Sequence, residues 1–196
     1  MHRALLFDLD GVLVDTAKYH FLAWKALADE LGIPFTREDN ERLKGVSRMA
    51  SLEIILELGK RECTEAEKEA LCSRKNGLYV SYIRKMTPEE ILPGVQEFML
   101  DAKRQGYRIA LGSASRNSAT VLERVNLWSL FDAIADGTNV TKPKPDPEVF
   151  LVGAKMLGVP PEECIVFEDF HLLMDTYFHI LGGVDSAALN IGNKYI

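Results

Sequence analysis

One short apolar run, Ala4-Leu5-Leu6-Phe7-Asp8-Leu9, lies far along the chain from every other strand-like run. Its apolar residues are continuous rather than alternating, the pattern of a strand buried on both faces, and Asp10-Gly11 closes it with a turn. Such a strand must find partners, because its backbone N–H and C=O groups cannot be left unpaired in an interior. The partners come only after Pro93-Gly94. There the pattern predicts a helix to about Gln105, a strand Tyr107–Gly112, a helix after Ser115 and a strand Phe131–Ala135. A helix after Asp146-Pro147 and a strand Cys164–Phe167 complete the series. Strand and helix alternating in this way predict right-handed βαβ units and a parallel sheet.

Residues 15 to 90 then leave the sheet after its first strand and return before its second. Their spacing is helical: Phe21, Leu22, Leu27, Ala28 and Leu31 mark a helix stopped by Gly32 and Pro34. Ser47 caps a segment to about Leu58, and Thr64 with Glu67 forms a capping box for a helix reaching about Lys85. The expected architecture is α/β: a Rossmann-like parallel-sheet core of residues 1–14 and 91–196, with an inserted helical domain of residues 15–90. A chain of 196 residues, 47% apolar and 27% charged, has material for this and for no second large unit.

A net charge of −6 offers no broad attraction to nucleic acid or to an anionic membrane, so neither is expected as a partner. No apolar stretch approaches the length of a membrane span, and no signal peptide is visible. Cys63, Cys72 and Cys164 have no CxxC spacing, which suits a reducing cytoplasm and ordinary packing thiols. A monomer is expected.

Open parallel sheets bind ligands at the carboxyl ends of their strands. Four such ends here carry polar residues: Asp8 with Asp10, Ser113, Lys142 in the loop beyond the third strand, and Glu168 with Asp169. One acid at a strand end is usually a turn residue or a cap, but four ends together point to a site. Gathered carboxylates need a cation, and oxygen donors without His or Cys favour Mg2+ over zinc. The ion would hold phosphate as well, with Lys142 and the Ser113 hydroxyl as further donors to phosphoryl oxygens. Asp8 is then the nucleophile, and Asp10, two residues on, the group that passes a proton to the leaving oxygen.

The run Phe7-Asp8-Leu9-Asp10-Gly11-Val12-Leu13-Val14-Asp15-Thr16 resembles the first motif (DxDGxLxDT) of the haloacid dehalogenase superfamily. Gly112-Ser113, Lys142-Pro143 and Glu168-Asp169 resemble its second, third and fourth motifs, in order. The resemblance implies an aspartyl phosphate on Asp8 and general acid/base action by Asp10. It also implies Mg2+ held by Asp8, the main-chain carbonyl of Asp10 and Asp169, with Glu168 in support, and a helical cap between the first two motifs.

Within the superfamily the cap is similar to that of the β-phosphoglucomutase branch. Thr16, His20 and Trp24, four apart, share one face of the first cap helix. Leu43-Lys44-Gly45-Val46-Ser47-Arg48 resembles that branch's cap loop, where the arginine holds the non-reacting phosphate and the glycine lets backbone approach the sugar. Ser51, Lys75-Asn76, and Ser113-Ala114-Ser115 with Asn117 match substrate-contacting positions. The resemblance implies catalytic roles for Asp8, Asp10, Thr16, His20, Ser113 and Lys142, and interconversion of β-glucose 1-phosphate and glucose 6-phosphate through a sugar bisphosphate. A second phosphate needs a second cationic site, which Arg48 supplies by bidentate recognition with Lys75 beside it. The cap closes during each transfer to exclude water.

Plainer readings compete. His20 alone would be a half-buried helix residue, Trp24 alone cap core, and Lys75, in the run Ser73-Arg74-Lys75-Asn76, a solvated charge. Lys144 rivals Lys142, and position in the motif favours Lys142. A sugar-phosphate phosphatase with the same nucleophile, or a catalytically impaired phosphosugar-binding protein, are the alternatives. The second draws on the text after Asp169, where Phe170-His171-Leu172-Leu173-Met174 puts bulky residues in place of the family's small-residue helix and the chain ends early. An altered terminus or shifted reading frame is expected there, which intact mass and the coding DNA decide. His171 and His179 are read as packing or surface residues.

Overall fold

In the computed structural model, residues 2–43, 46–142, 144 and 146–168 are described. Gly45, Asp169, His171, His179 and the segment after Asp169, all singled out above, lie outside the described residues. The chain divides into two compact units, residues 1–15 with 86–196, and residues 16–85.

The first unit is built on four parallel strands, β1 (Ala4–Phe7), β2 (Arg108–Gly112), β3 (Ala133–Ala135) and β4 (Cys164–Phe167), in the order β3-β2-β1-β4. β1 is central and pairs with both β2 and β4, Phe7 standing opposite Leu111 on one side and Phe167 on the other. This satisfies the pairing demand of the isolated N-terminal run, and all four β1 residues are buried. Alternate side chains face opposite ways. Ala4 and Leu6 join Ala110, Ala135, Phe150 and Ala154 in a core under helix α7 (Glu148–Leu157). On the other face Phe7 stacks on Phe167 at 4.6 Å, and both meet Phe98 edge-on. Phe98 belongs to helix α5 (Val95–Arg104).

Gly112 ends β2 under the Phe150 ring, where a Cβ would lie 2.5 Å from a ring carbon, so no larger residue fits without moving α7. Helix α6 (Ser118–Arg124) follows β2. The chain runs from β1 outward to β3 and only then returns to place β4 on the far side of β1. The switch in direction, where open sheets leave a crevice, therefore falls at the carboxyl ends of β1 and β4.

The second unit holds α1 (Ala17–Glu30), α2 (Arg37–Glu41), α3 (Arg48–Leu58) and α4 (Glu65–Ile83). The Ser47 hydroxyl accepts from the Ala50 N–H, and Thr64 and Glu67 cap each other's backbone, as their spacing predicts. Helix α2 was not expected, although Thr36 and Asp39 form the same reciprocal box at its start. Trp24, Leu27, Phe35, Leu52, Ile55 and Cys72 are among the buried residues of this unit's core. No helix of the described residues is long and apolar enough to cross a membrane.

Candidate active site

β1 delivers Asp8 to the crevice. Its N–H is held by the Phe167 carbonyl at 2.9 Å, so the β4 pairing extends one residue past the strand and fixes the carboxylate's origin. The chain then turns back on itself: Gly11, at φ 77°, donates to the Val14 carbonyl, and Leu13 and Val14 donate to Leu9. This tight loop needs the left-handed backbone that glycine adopts without strain. It puts the half-buried Asp10 two residues beyond Asp8.

The group beside Asp8 is an ammonium. Lys144 Nζ lies 2.8 Å from Asp8 Oδ1 and 2.8 Å from Glu168 Oε1, with 7% of its side chain exposed. Burial pulls the Lys144 ammonium toward its neutral form, but the two carboxylates outweigh that and hold it charged. Burial, then the charge on Asp8, pushes the Glu168 carboxyl well above the usual carboxylate range, with Lys144 opposing. Phe150 closes the far side, its ring centroid 4.8 Å from the same Nζ.

The third motif was expected to present Lys142 here, and in the structure Lys144 stands beside Asp8 instead. Lys142 does not reach Asp8: its side chain is 65% exposed and its Nζ pairs with Asp146 at 3.2 Å. The Lys142 N–H and Thr141 N–H both go to the Glu148 carboxylate, which ties the start of this loop to α7 and turns Lys142 outward. An ammonium is worth desolvating only where carboxylates meet it, and in the structure those meet Lys144.

At the end of β2, Ser113 is buried and its N–H bonds the Ala135 carbonyl at 3.0 Å. Its hydroxyl oxygen accepts from the Ser115 N–H, and the Ser115 hydroxyl accepts from the Asn117 N–H, so two short side-chain turns shape the loop. Ala114 is exposed; Ser115 and Asn117 are half-buried.

The residues that the resemblance ties to Mg2+ offer only hard oxygen donors, which suit that ion. Glu168 Oε2 is a buried oxygen without a partner among the described residues, an acceptor still to be satisfied. Among the described residues no three His, Cys, Asp or Glu side chains are grouped as a metal site, and Asp169 lies outside them. The donor chemistry fits the ion, and a complete set needs Asp169.

The second unit gathers a separate cluster. Lys75 Nζ donates to His20 Nδ1 at 2.8 Å and sits over the rings of Trp24, at 4.7 Å, and Tyr79, at 5.1 Å. The Tyr79 hydroxyl donates to Thr16 Oγ1 at 3.3 Å, and the His20 ring lies against Tyr79 at 4.1 Å. Burial, then the charges of Lys75 and Arg48, hold the His20 imidazole down to about 3, so it accepts as a neutral ring. Burial, then Arg48, brings Lys75 down to about 7.

Lys75 is thus no solvated charge, for only 2% of it is exposed. Trp24 serves both readings, as cap core and as the face under an ammonium. Arg48 opens α3 and is exposed, Ser51 on the same helix is buried, and Asn76 is half-buried. Cys72 donates to the Arg48 carbonyl at 3.7 Å, tying the start of α3 to α4. Tyr79 went unnoticed in the sequence and Cys72 was read only as a packing thiol, although they lie four and three residues from Lys75 on one helical face.

The chain matches the model of a family described as haloacid dehalogenase-like hydrolase over residues 2–171. It is 49% identical to the Beta-phosphoglucomutase of Bacillus subtilis, over 85% of this chain and 75% of that protein. It is 32% identical to the Phosphorylated carbohydrates phosphatase of Thermotoga maritima, over 85% of this chain and 76% of that one. The crystal structure of beta-phosphoglucomutase from Clostridium difficile superposes with a TM-score of 0.82 at 44% identity, covering 90% of this chain and 80% of that one.

Proposed function

The chain belongs to the haloacid dehalogenase-like hydrolase family, and on that premise we propose that it is a β-phosphoglucomutase, interconverting β-glucose 1-phosphate and glucose 6-phosphate. The observation that carries the reading is the buried Asp8 carboxylate at the sheet's switch point, held by an ammonium that also meets Glu168. A buried carboxylate paired with an ammonium at the end of a central strand is a positioned nucleophile. The 49% identity to a Beta-phosphoglucomutase supports the choice of reaction.

In the first transfer, the 6-hydroxyl of β-glucose 1-phosphate attacks the phosphorus of the Asp8 acyl phosphate. Asp10 takes the hydroxyl proton, and the bond from phosphorus to Asp8 breaks. In the second, Asp8 attacks the phosphorus at the 1-position of the bisphosphate, and Asp10 returns the proton to the departing sugar oxygen. Lys144 opposes the charge that Asp8 carries whenever it is free. The Ser113 hydroxyl, whose oxygen already accepts from Ser115, keeps its proton to donate to a phosphoryl oxygen. Asp8, the Asp10 carbonyl, Glu168 and Asp169 would hold Mg2+, which supplies Lewis-acid neutralisation of the phosphoryl oxygens.

A sugar with two phosphates needs two cationic groups, and each unit carries its own: Lys144 in the first, Arg48 with Lys75 in the second. The neutral His20 and the Thr16 hydroxyl act as orienting polar groups within the second. All three cysteines are free, in keeping with action in a reducing cytoplasm on a small sugar phosphate. A coupled assay for glucose 6-phosphate, with Mg2+ and a bisphosphate primer, run beside an inorganic phosphate assay, tests the reading. Isomerisation well ahead of phosphate release is expected. Phosphate release without isomerisation means a phosphatase, the reading that similarity to the Thermotoga maritima enzyme favours. Binding without turnover refutes both.

A further inference from the structure

The structure assigns a positioning role to Asp136, a residue at the carboxyl end of β3 that contributes nothing to the cluster around Asp8: we propose that its carboxylate, through Ser118, holds the Ser113–Asn117 loop in the shape needed to meet a phosphoryl group. This rests on the reading above in one respect, that this loop faces the transferred phosphate.

Asp136 is 5% exposed, and its carboxylate accepts three hydrogen bonds from neutral donors. Oδ1 takes the Thr138 N–H at 2.9 Å and the Thr138 hydroxyl at 2.6 Å, and Oδ2 takes the Ser118 hydroxyl. Its own N–H donates to Asn139 Oδ1 at 2.9 Å, while Asn139 Nδ2 donates to the Ile134 carbonyl. The turn 136–139 therefore fixes the carboxylate from its own side, leaving Oδ2 as the end that reaches the neighbouring loop.

That loop is attached at three points. Ser113 N–H bonds the Ala135 carbonyl, Gly137 N–H bonds the Ser115 carbonyl at 3.4 Å, and the fully buried Ser118 hydroxyl bonds Asp136. Between them Gly137 passes so close that a Cβ there would stand 2.5 Å from the Ala114 carbonyl oxygen. The two loops are in backbone contact, and the Asp136–Ser118 bond clamps the far end of the one that carries Ser113 and Ala114.

A surface turn has no need of a buried carboxylate, whose desolvation is costly and which an amide or hydroxyl would spare. What a carboxylate acceptor adds is a stronger, more directional bond to Ser118. Donors aimed at a phosphoryl group must hold their geometry to about half an ångström, and loops do this poorly without such support. Asp136 and Ser118 act through the loop and not on the reacting atoms.

The test compares the parent with Ser118→Ala, Asp136→Asn and the double variant, each with Mg2+, in hydrolysis of p-nitrophenyl phosphate and inhibition by orthovanadate. Thermal midpoints are measured in parallel. Loosening the loop by a fraction of an ångström should lower kcat and weaken vanadate inhibition together by about tenfold or more, with KM moving far less. The double variant should be no worse than the weaker single, because both delete one contact.

A midpoint that falls while kcat and vanadate inhibition stay within about twofold of the parent, or losses that multiply in the double variant, would overturn the proposal. If Asp136→Asn does not fold, Ser118→Ala decides alone, since it removes one hydroxyl and leaves the carboxylate its two Thr138 donors. A parent that hydrolyses the ester but does not isomerise sugar phosphates refutes the mutase reading and leaves this test intact. A parent that neither hydrolyses the ester nor binds vanadate refutes both.

Discussion

Replacing Lys144 by methionine keeps the stem against Phe150 and removes the charge between Asp8 and Glu168. Both contacts are 2.8 Å long and 7% of the side chain is exposed, so solvent screens little. Leaving buried charge unpaired costs about 3–5 kcal/mol in general. Here part is relieved, because the Glu168 carboxyl, already raised by burial and by Asp8, takes up a proton. The catalytic loss is not relieved, since a fixed donor beside the reacting group is typically worth about 10²–10³ in kcat. Lys142→Met removes an exposed pair with Asp146, worth about 0–1 kcal/mol, and kcat should stay within a few-fold. Both variants are assayed for glucose 6-phosphate formation and phosphate release at saturating Mg2+, with thermal midpoints. If Lys142→Met proves the more damaging, the lysine of the third motif acts in the place the sequence motif suggested, and the reasoning from burial fails.

Asp8→Ala should abolish both isomerisation and hydrolysis, and turnover above background in either assay would remove Asp8 from the chemistry. Arg48→Ala should cripple isomerisation while sparing hydrolysis of a small phosphate ester, for which no second phosphate is held; equal losses would count against Arg48. His20 is neutral in the folded protein down to about pH 3 but titrates near 6.5 when unfolded, so the unfolded chain binds the extra proton and stability is lost as pH falls between these values. Between pH 6.5 and about 4.5 this amounts to about 2 kcal/mol, which should be absent in His20→Asn when urea unfolding is followed at both pH values. Gly112→Ala forces a methyl into the Phe150 ring and should lower the thermal midpoint, an overpacking cost of about 1–3 kcal/mol read from urea curves; an unchanged midpoint would show that α7 yields.

The parallel sheet was legible because its signals are local and strong. The continuous apolar run of β1 and the two caps at Ser47 and Thr64 each reflect one physical requirement, and the structure meets all three. Helix α2 was missed because five residues with none buried leave no apolar period to detect, only the Thr36–Asp39 box. Tyr79 and Asp136 were missed for another reason: a tyrosine on a helix and an acid after a strand look ordinary until Thr16 and Ser118, each distant or on another element, are brought to them. The lysine is the instructive case. In Thr141-Lys142-Pro143-Lys144-Pro145 the two cations stand two residues apart, yet Lys142 Nζ pairs with Asp146 at the surface while Lys144 Nζ meets Asp8 and Glu168. Composition treats them alike, and the motif prefers the first. What separates them is the desolvation of an ammonium, repaid only where two carboxylates converge, and that convergence is made by strands β1 and β4, which lie some 160 residues apart in the chain and side by side in the sheet.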